Sequence, residues 1–478
     1  MRTKHILFSI GIAASMMTGC KKDIFKVDES TSDPNFVPVD LVLSNPTKGQ
    51  IVQLSKGLES AMRNGYRDYL LANGAVGREV IYSAATEPRY YGEILGTQTN
   101  QFVGGANDPN GIFNAYYTAF SQTRRRAELL FRTANNATTV TAGEKKGVEG
   151  FARTIQAYTT LNLLNMQGKN GIRESFSDLI EAGDLLKPGP FGTYETGLAL
   201  VKTYVDQGFA ALNTAGATFP FTLSSGWRAG LAGLDFQTID NFKKFNRAIA
   251  ARVAMYQKDW NGVLTALNGS FMNLTNLTGS LTMGPRFVFS PAANDISNTM
   301  FRTVNNTNDP YVVFNQVITE AEADDTRVFG ASAKVGARTT PRESGAFVST
   351  HEVRMFTSNS SPAPIIKNEE LILMYAEANA QLNTVTSLAD AVTAINIIRT
   401  GYGLQPYAGA VTRDALIDEI LKQRRYSLFW EGHRWFDMRR YNRLAQVTPS
   451  GTIGGNNYVV FEAMARPDAE VQWDIRNP

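Results

Sequence analysis

The chain has 478 residues, of which 43% are hydrophobic and 19% charged, with a formal net charge of +3. Such a composition excludes a disordered chain and allows one large α-rich domain or two domains. Without residues 1–19, which include Arg2 and Lys4, the charge falls to +1, and a near-neutral surface gives no electrostatic case for nucleic acid.

The N-terminus has a basic start (Arg2, Lys4), an apolar run over 6–17 and then Thr18-Gly19-Cys20. The run is too short for a permanent membrane span and has the layout of a secretory signal. Cys20 is the only cysteine, so it has no internal disulfide partner. Small residues followed by a cysteine resemble a bacterial lipoprotein signal. Residues 1–19 are therefore the expected signal peptide and Cys20 the expected lipid-attachment residue, holding the domain at a membrane. Lys21-Lys22-Asp23 resembles a charged export tag for the outer face. Residues 20–48, with Pro34, Pro38 and Pro46, read as a tether. No later segment reaches the roughly 18 apolar residues of a span.

Apolar spacing predicts a first helix over 50–71, with Ile51, Leu54, Leu58, Met62 and Tyr66 in register. Residues 83–111 hold no period and are dense in glycine, asparagine and threonine. A long irregular insert is usually functional or mobile. This one carries Arg89, Tyr90, Tyr91, Asn100, Gln101 and Phe102. Aromatic rings stack on the apolar faces of sugars and amides bond their hydroxyls, so these are candidate ligand contacts; the alternative is a surface loop whose tyrosines cover core edges. Further helices are predicted over 113–131, 144–167 and 193–212, in pairs that suggest a tetratricopeptide-like array with a period of about 34 residues. Trp227, in a loop over 214–233, is a candidate stacking platform or a core cap. A helix–turn–helix unit follows over 237–267, turning at Asp259-Trp260-Asn261. Residues 269–362 lose helical period and read as loops and short strands. Phe287, Phe289, Phe301 and Tyr311 lie there as secondary pocket candidates, with core packing the favoured reading. Helices are then predicted over 367–382 and 388–399, and the tail 451–478 could add a short strand around Val459-Val460-Phe461.

The longest helical pattern runs over 412–444, with Leu416, Ile417, Ile420, Leu421, Leu428, Trp435 and Met438 in register. Arg424 and Glu431 share that buried stripe, so each needs a partner, either the other or a group across helices. Gly432, beside Trp430 and Trp435, suggests close packing by another backbone. Glu431, His433 and Asp437 could form a catalytic cluster; the favoured reading is an internal ion-pair brace, because perturbed charge clusters are often structural. The run RRYSLFWEGHRWFDMRR resembles the C-terminal helix motif of the SusD/RagB family, surface nutrient-binding lipoproteins of Bacteroidetes-type bacteria. Arg424, Arg425, Glu431, Gly432, His433, Arg434, Trp435, Phe436, Asp437, Arg439 and Arg440 carry the match; Met438 replaces the usual leucine and Gln423 a common acid. Residues 245–268 resemble the family's tetratricopeptide pair, Asp325 and Arg327 its D-x-R element, and 367–401 its E-L-x-L-M-Y-A-E-A and I-N-x-x-R segments. The tail departs from the family's proline-rich ending.

The expected fold is mostly α, a tetratricopeptide-like helical array with a loop-rich, irregular subregion packed over it. The scaffold spans 49–82, 112–267 and 363–445 of a domain over 49–478, and the ligand region 83–111 and 269–362. The resemblance implies a lipid-anchored protein of the outer-membrane surface that passes a nutrient to a SusC-type TonB-dependent transporter, and the loop chemistry over 83–111 allows an oligosaccharide as that nutrient, the favoured ligand. A peptide ligand, as in the RagB branch, is the runner-up; a surface glycoside hydrolase or a structural adaptor is less favoured. No cofactor, metal or catalytic residue is expected. Of three histidines His5 leaves with the signal, and His351 and His433 alone make no metal site; no G-x-S-x-G, phosphate loop or H-E-x-x-H is present.

Overall fold

The structure, a computed structural model, describes residues 44–87, 89–90, 114–175, 189–228, 234–275, 279–344, 347–447, 452–453, 456–457 and 461–476. The signal, Cys20, most of the tether, and Tyr91, Asn100, Gln101 and Phe102 lie outside them.

The chain is mostly α-helical. Helices α1 (Lys48–Ala61) and α2 (Tyr66–Val76) replace the single helix expected over 50–71. Gly65, the residue before α2, takes φ +70°, a left-handed conformation that costs glycine little. A Cβ there would stand 2.7 Å from Ala119 Cβ, so α3 (Asn114–Asn136) crosses at this turn. Next come α4 (Ala142–Gln167), α5 (Tyr194–Asn213), α6 (Ile239–Gln257) and α7 (Trp260–Asn268). Thr47, Thr141, Thr193, Thr238 and Asp259 cap α1, α4, α5, α6 and α7, each accepting from a backbone N–H that the helix leaves free. Helix α4 packs between α3 and α5, and α6 bridges α5, α7 and the later α10 (Asn368–Leu382). Helix α10 in turn packs on α11 (Val385–Gly401) and α12 (Arg413–Ser427). Serial helix pairs each burying a face against the next form the expected tetratricopeptide-like array.

Short strands fill the irregular regions. An antiparallel sheet runs in the order β1 (Val80–Tyr82), β3 (Tyr311–Val313), β5 (Phe347–Val353), β4 (Val335–Ser344). Val80 pairs with Val313, Val312 with Glu352 and Val335 with Val353. A two-stranded piece joins β2 (Arg286–Phe287) to β6 (Ala363–Pro364). Two short helices, α8 (Asn315–Thr319) and α9 (Thr326–Phe329), lie between β3 and β4. The sheet thus ties residues 80–82, expected as helical scaffold, to the irregular segment at 311–353. The tail forms a small β7 (Thr452–Ile453), β8 (Asn456–Asn457) hairpin and an α-helix over Asp468–Arg476 that periodicity did not reveal.

The stretch over 412–444 is not one helix. Helix α12 ends at Ser427, and a turn with Trp430 at φ +52° and Gly432 at φ +84° leads into α13 (Arg434–Arg440). What presses on Gly432 is the Tyr69 ring rather than another backbone: a Cβ would sit 2.5 Å from Tyr69 Cε1, and the Tyr69 hydroxyl donates to the Gly432 carbonyl at 3.2 Å. The turn drives both indoles inward. Trp430 donates to Leu70 O at 3.0 Å and Trp435 to Phe461 O at 2.8 Å, and both are fully buried. Each indole thus covers a large apolar area and leaves no orphaned N–H.

Arg424 and Glu431 do not pair with each other. Arg424 Nε donates to Asp437 Oδ2 at 2.6 Å, and Arg440 meets the other Asp437 oxygen at 2.9 Å while also gripping Glu377. Arg327 holds Asp325 and reaches Gln423 Oε1 at 2.7 Å and Ser427 Oγ at 2.8 Å, binding α9 to the end of α12. Arg252 of α6 makes a bidentate pair with Glu370 of α10, both bonds 2.7 Å. Each charge is buried with a partner, the condition under which a charge tolerates the interior.

Candidate ligand-binding site

A cavity of about 860 Å3 opens where the irregular segments lie against the end of α12. Its walls come from Thr282 and Arg286, from Phe301, Arg302 and Val304, from residues 330–336, from Arg354 to Thr357 after β5, and from Pro362 and Pro364. Lys367 and Glu431 line it from the helical side. The Lys367 ammonium contacts Glu431 and Glu369, each at 2.6 Å, and donates to Ser427 O at 3.0 Å. Burial disfavours the charged Lys367, yet the two carboxylates outweigh it and raise its pKa. Lys334 enters from the far wall. It donates to Ser427 O at 2.5 Å and Tyr426 O at 3.0 Å, and its nearest carboxylate, Glu431, is 3.8 Å away. Burial, and then the neighbouring Lys367 charge, pull Lys334 down to about 8.

An aromatic ledge adjoins the cavity and shares Arg302 with it. The Arg302 guanidinium lies over the Tyr311 ring at 4.7 Å and the Tyr82 ring at 5.7 Å, and pairs with Asp309 at 2.8 Å. Arg67 covers Tyr82 from another side at 5.0 Å and donates to the Tyr311 hydroxyl at 3.0 Å. Tyr82 and Tyr311 are brought together by the β1–β3 register, which pairs them directly. Tyr90 meets Tyr82 edge-on, ring centres 5.0 Å apart. The half-buried Tyr82 and Tyr90 keep apolar ring surface open, and the guanidinium groups set against the rings add fixed donors beside it.

Of the sequence candidates, Tyr90 joins this ledge, half-buried against the core. Arg89 stands next to it and grips Glu87 at 2.7 and 2.5 Å. Trp227 does not join it. Its ring is 1% exposed, packs on Phe242 and Phe245, and donates to Glu59 at 3.0 Å. A buried indole offers no face to a ligand, so Trp227 is a core cap. Phe287, Phe289 and Tyr311 are buried, as favoured, whereas Phe301 lines the cavity. Sequence reasoning missed Arg67, Tyr82, Arg286, Arg302, Lys334 and Arg354. Of these, Arg286, Arg302, Lys334 and Arg354 lie within 286–354 as scattered cations that only the fold turns into one wall, and Arg67 and Tyr82 lie in a stretch read as scaffold.

The proposed catalytic trio is spread by the turn into three environments. Glu431 faces the cavity and Lys367. Asp437 is buried between Arg424 and Arg440, which hold it charged despite burial. His433 is buried, with burial and then the Arg252 charge pushing its pKa well down, and its Nε2 lies 3.7 Å from Glu370. Among the described residues no group of three His, Cys, Asp or Glu could hold a metal ion, and no helix is long and apolar enough to cross a membrane.

Residues 332–477 match the model of the SusD family. Among solved structures, the chain is similar to surface glycan-binding protein A from Bacteroides uniformis, with 14% identity, TM-score 0.66, and 90% of this chain and 98% of that one covered. It is also similar to a SusD superfamily protein from Bacteroides fragilis (16%, TM-score 0.64, 89% and 97% covered) and to a SusD-like carbohydrate binding protein from Bacteroides vulgatus (16%, TM-score 0.60, 83% and 83% covered). No curated protein matches the chain by sequence.

Proposed function

We propose that this chain, a SusD/RagB-family protein by its C-terminal sequence and its fold, captures an oligosaccharide at the cell surface without breaking a bond in it. The observation that carries the reading is the ledge of half-buried Tyr82 and Tyr90, backed by the buried Tyr311, flanked by Arg67 and Arg302 and continuous through Arg302 with the 860 Å3 cavity. Stacking would hold the pyranose faces and the guanidinium groups the hydroxyls. The irregular segments 83–111 and 269–362 are the ligand region, and Arg89, Tyr91, Asn100 and Phe102 are proposed contacts beside Tyr90. Lipidation at Cys20 would anchor the chain on the outer membrane, where a SusC-type TonB-dependent transporter would receive the ligand. Binding by a surface glycan-binding protein and a SusD-like carbohydrate binding protein of the same fold supports the sugar over a peptide.

Calorimetric titration of the purified chain against glycan and peptide pools tests this. Tyr82→Ala and Tyr90→Ala should weaken glycan binding by about tenfold or more, from the loss of a stacking face. Failure of every glycan to bind, with a peptide binding instead, would overturn the reading. Shortened products after long incubation would show a hydrolase. Cys20→Ser should release the chain from membranes, and co-purification with a TonB-dependent transporter should follow only from the anchored form.

A further inference from the structure

We infer that the ligand in the cavity is anionic: an acidic oligosaccharide whose carboxylate is bound by Lys334, Arg286 and Arg354. This rests on the oligosaccharide reading above and names its charge class. Five cations line the cavity, Arg286, Arg302, Lys334, Arg354 and Lys367, against one carboxylate, Glu431. Their partners do not cancel this. Arg302 pairs with Asp309, Lys367 with Glu369 and Glu431, and Arg354 shares Glu352 with Arg338. Counting Arg338 with these partners leaves six cations to four carboxylates around one space.

The excess sits on two residues. Among the described residues no carboxylate pairs with Arg286, which donates to the Thr282 carbonyl at 3.0 Å. Lys334 is the sharper case. Its side chain is 17% exposed, and two backbone carbonyls take two of its three N–H groups. Glu431 is beyond hydrogen-bond reach at 3.8 Å and already engaged by Lys367 at 2.6 Å. A largely buried ammonium without a bonded carboxylate costs free energy. A ligand carboxylate entering the cavity would supply the missing acceptor and the missing charge. Arg354 adds a guanidinium whose Nε is buried without a partner. A neutral sugar would leave that charge uncompensated while displacing the water that screens it.

The test titrates the whole mature chain with four probes: oligogalacturonate, a heparin-derived sulfated oligosaccharide, a neutral galactan oligosaccharide and a polyglutamate peptide. An acidic oligosaccharide should bind at least about tenfold more tightly than the neutral one, and more weakly at higher salt. Lys334→Met and Arg286→Gln should each remove most of that preference, and Lys334→Arg should retain it. On the unmodified chain, the bound acidic probe should slow acetylation of Lys334, a readout independent of any variant. Tighter or equal binding of the neutral galactan would overturn the inference and leave the oligosaccharide reading standing. Failure of both acidic glycans would likewise overturn it. Binding of polyglutamate alone would sink both. Unchanged acetylation of Lys334 in saturated complex would remove Lys334 from the site.

Discussion

Asp437→Asn tests whether the motif at 424–440 braces the fold or serves a ligand. The substitution keeps the side-chain volume and removes one charge. Arg424 is 0% and Asp437 4% exposed at the side chain, their bond is 2.6 Å, and both Arg424 terminal nitrogens already lack a partner. With Asp437 neutral, Arg424 would be a buried cation with no carboxylate bonded to it, whereas Arg440 would keep Glu377. Breaking a buried pair from one side costs about 3–5 kcal/mol. An unfolding entropy near 2.1 cal/mol/K per residue over roughly 430 residues gives ~0.9 kcal/mol/K, so Tm should fall by about 3–6 °C. Scanning calorimetry at neutral pH measures it, with ligand titration well below the melt as the companion. Expected is a lowered Tm with unchanged affinity. A Tm within about one degree of the parent together with lost binding would refute the brace and return Asp437 to the ligand site.

Glu79 gives a pH prediction. It is fully buried, and burial, opposed by the Arg434 charge and the Trp430 N–H, raises it to about 7. The folded chain therefore keeps a proton that the unfolded chain has lost between pH 4.5 and 7. On this group's account stability falls as pH rises through that window, by about 3 kcal/mol in all, and levels off above it. Glu79→Gln should flatten this part of the Tm-against-pH curve; an unchanged curve would place the proton elsewhere. Gly432→Ala should cost about 1–3 kcal/mol, since φ is +84° and the Tyr69 ring occupies the Cβ position; urea melts would show it, and a neutral result would mean the turn relaxes freely. Trp227→Phe should lose about 1–3 kcal/mol, because Glu59 loses its indole donor, while glycan affinity stays at the parent value. Weaker binding with an unshifted urea midpoint would return Trp227 to the ligand site.

Helices were legible because their signal is local. The 3.6-residue apolar stripes over 144–167 and 193–212 announce their helices in sequence, and the structure adds the Thr141 and Thr193 caps that start them. The breaks were not legible, because they depend on what packs against the chain. Nothing near Gly65 in sequence reveals Ala119, and nothing near Gly432 reveals Tyr69. Periodicity continued across both, so one helix was read where there are two. The same distinction separates the right and wrong site candidates. A ring's chemistry is visible in sequence, but its exposure is a tertiary property: Trp227 and Tyr90 read alike, and only packing on Phe242 and Phe245 hides the first. Charge behaves in the same way. Lys334 and Glu431 are 97 positions apart, and Arg286 is a further 48 away from Lys334. Only the sheet and the β2–β6 pair bring their segments to one cavity. The stretch over 424–440 therefore contributes to the proposed site at a single point. Its arginines and tryptophans fix the turn, and the turn delivers the Glu431 carboxylate to Lys367 while leaving Lys334 without a bonded carboxylate. A brace that satisfies one lysine and not its neighbour is what leaves this cavity positive.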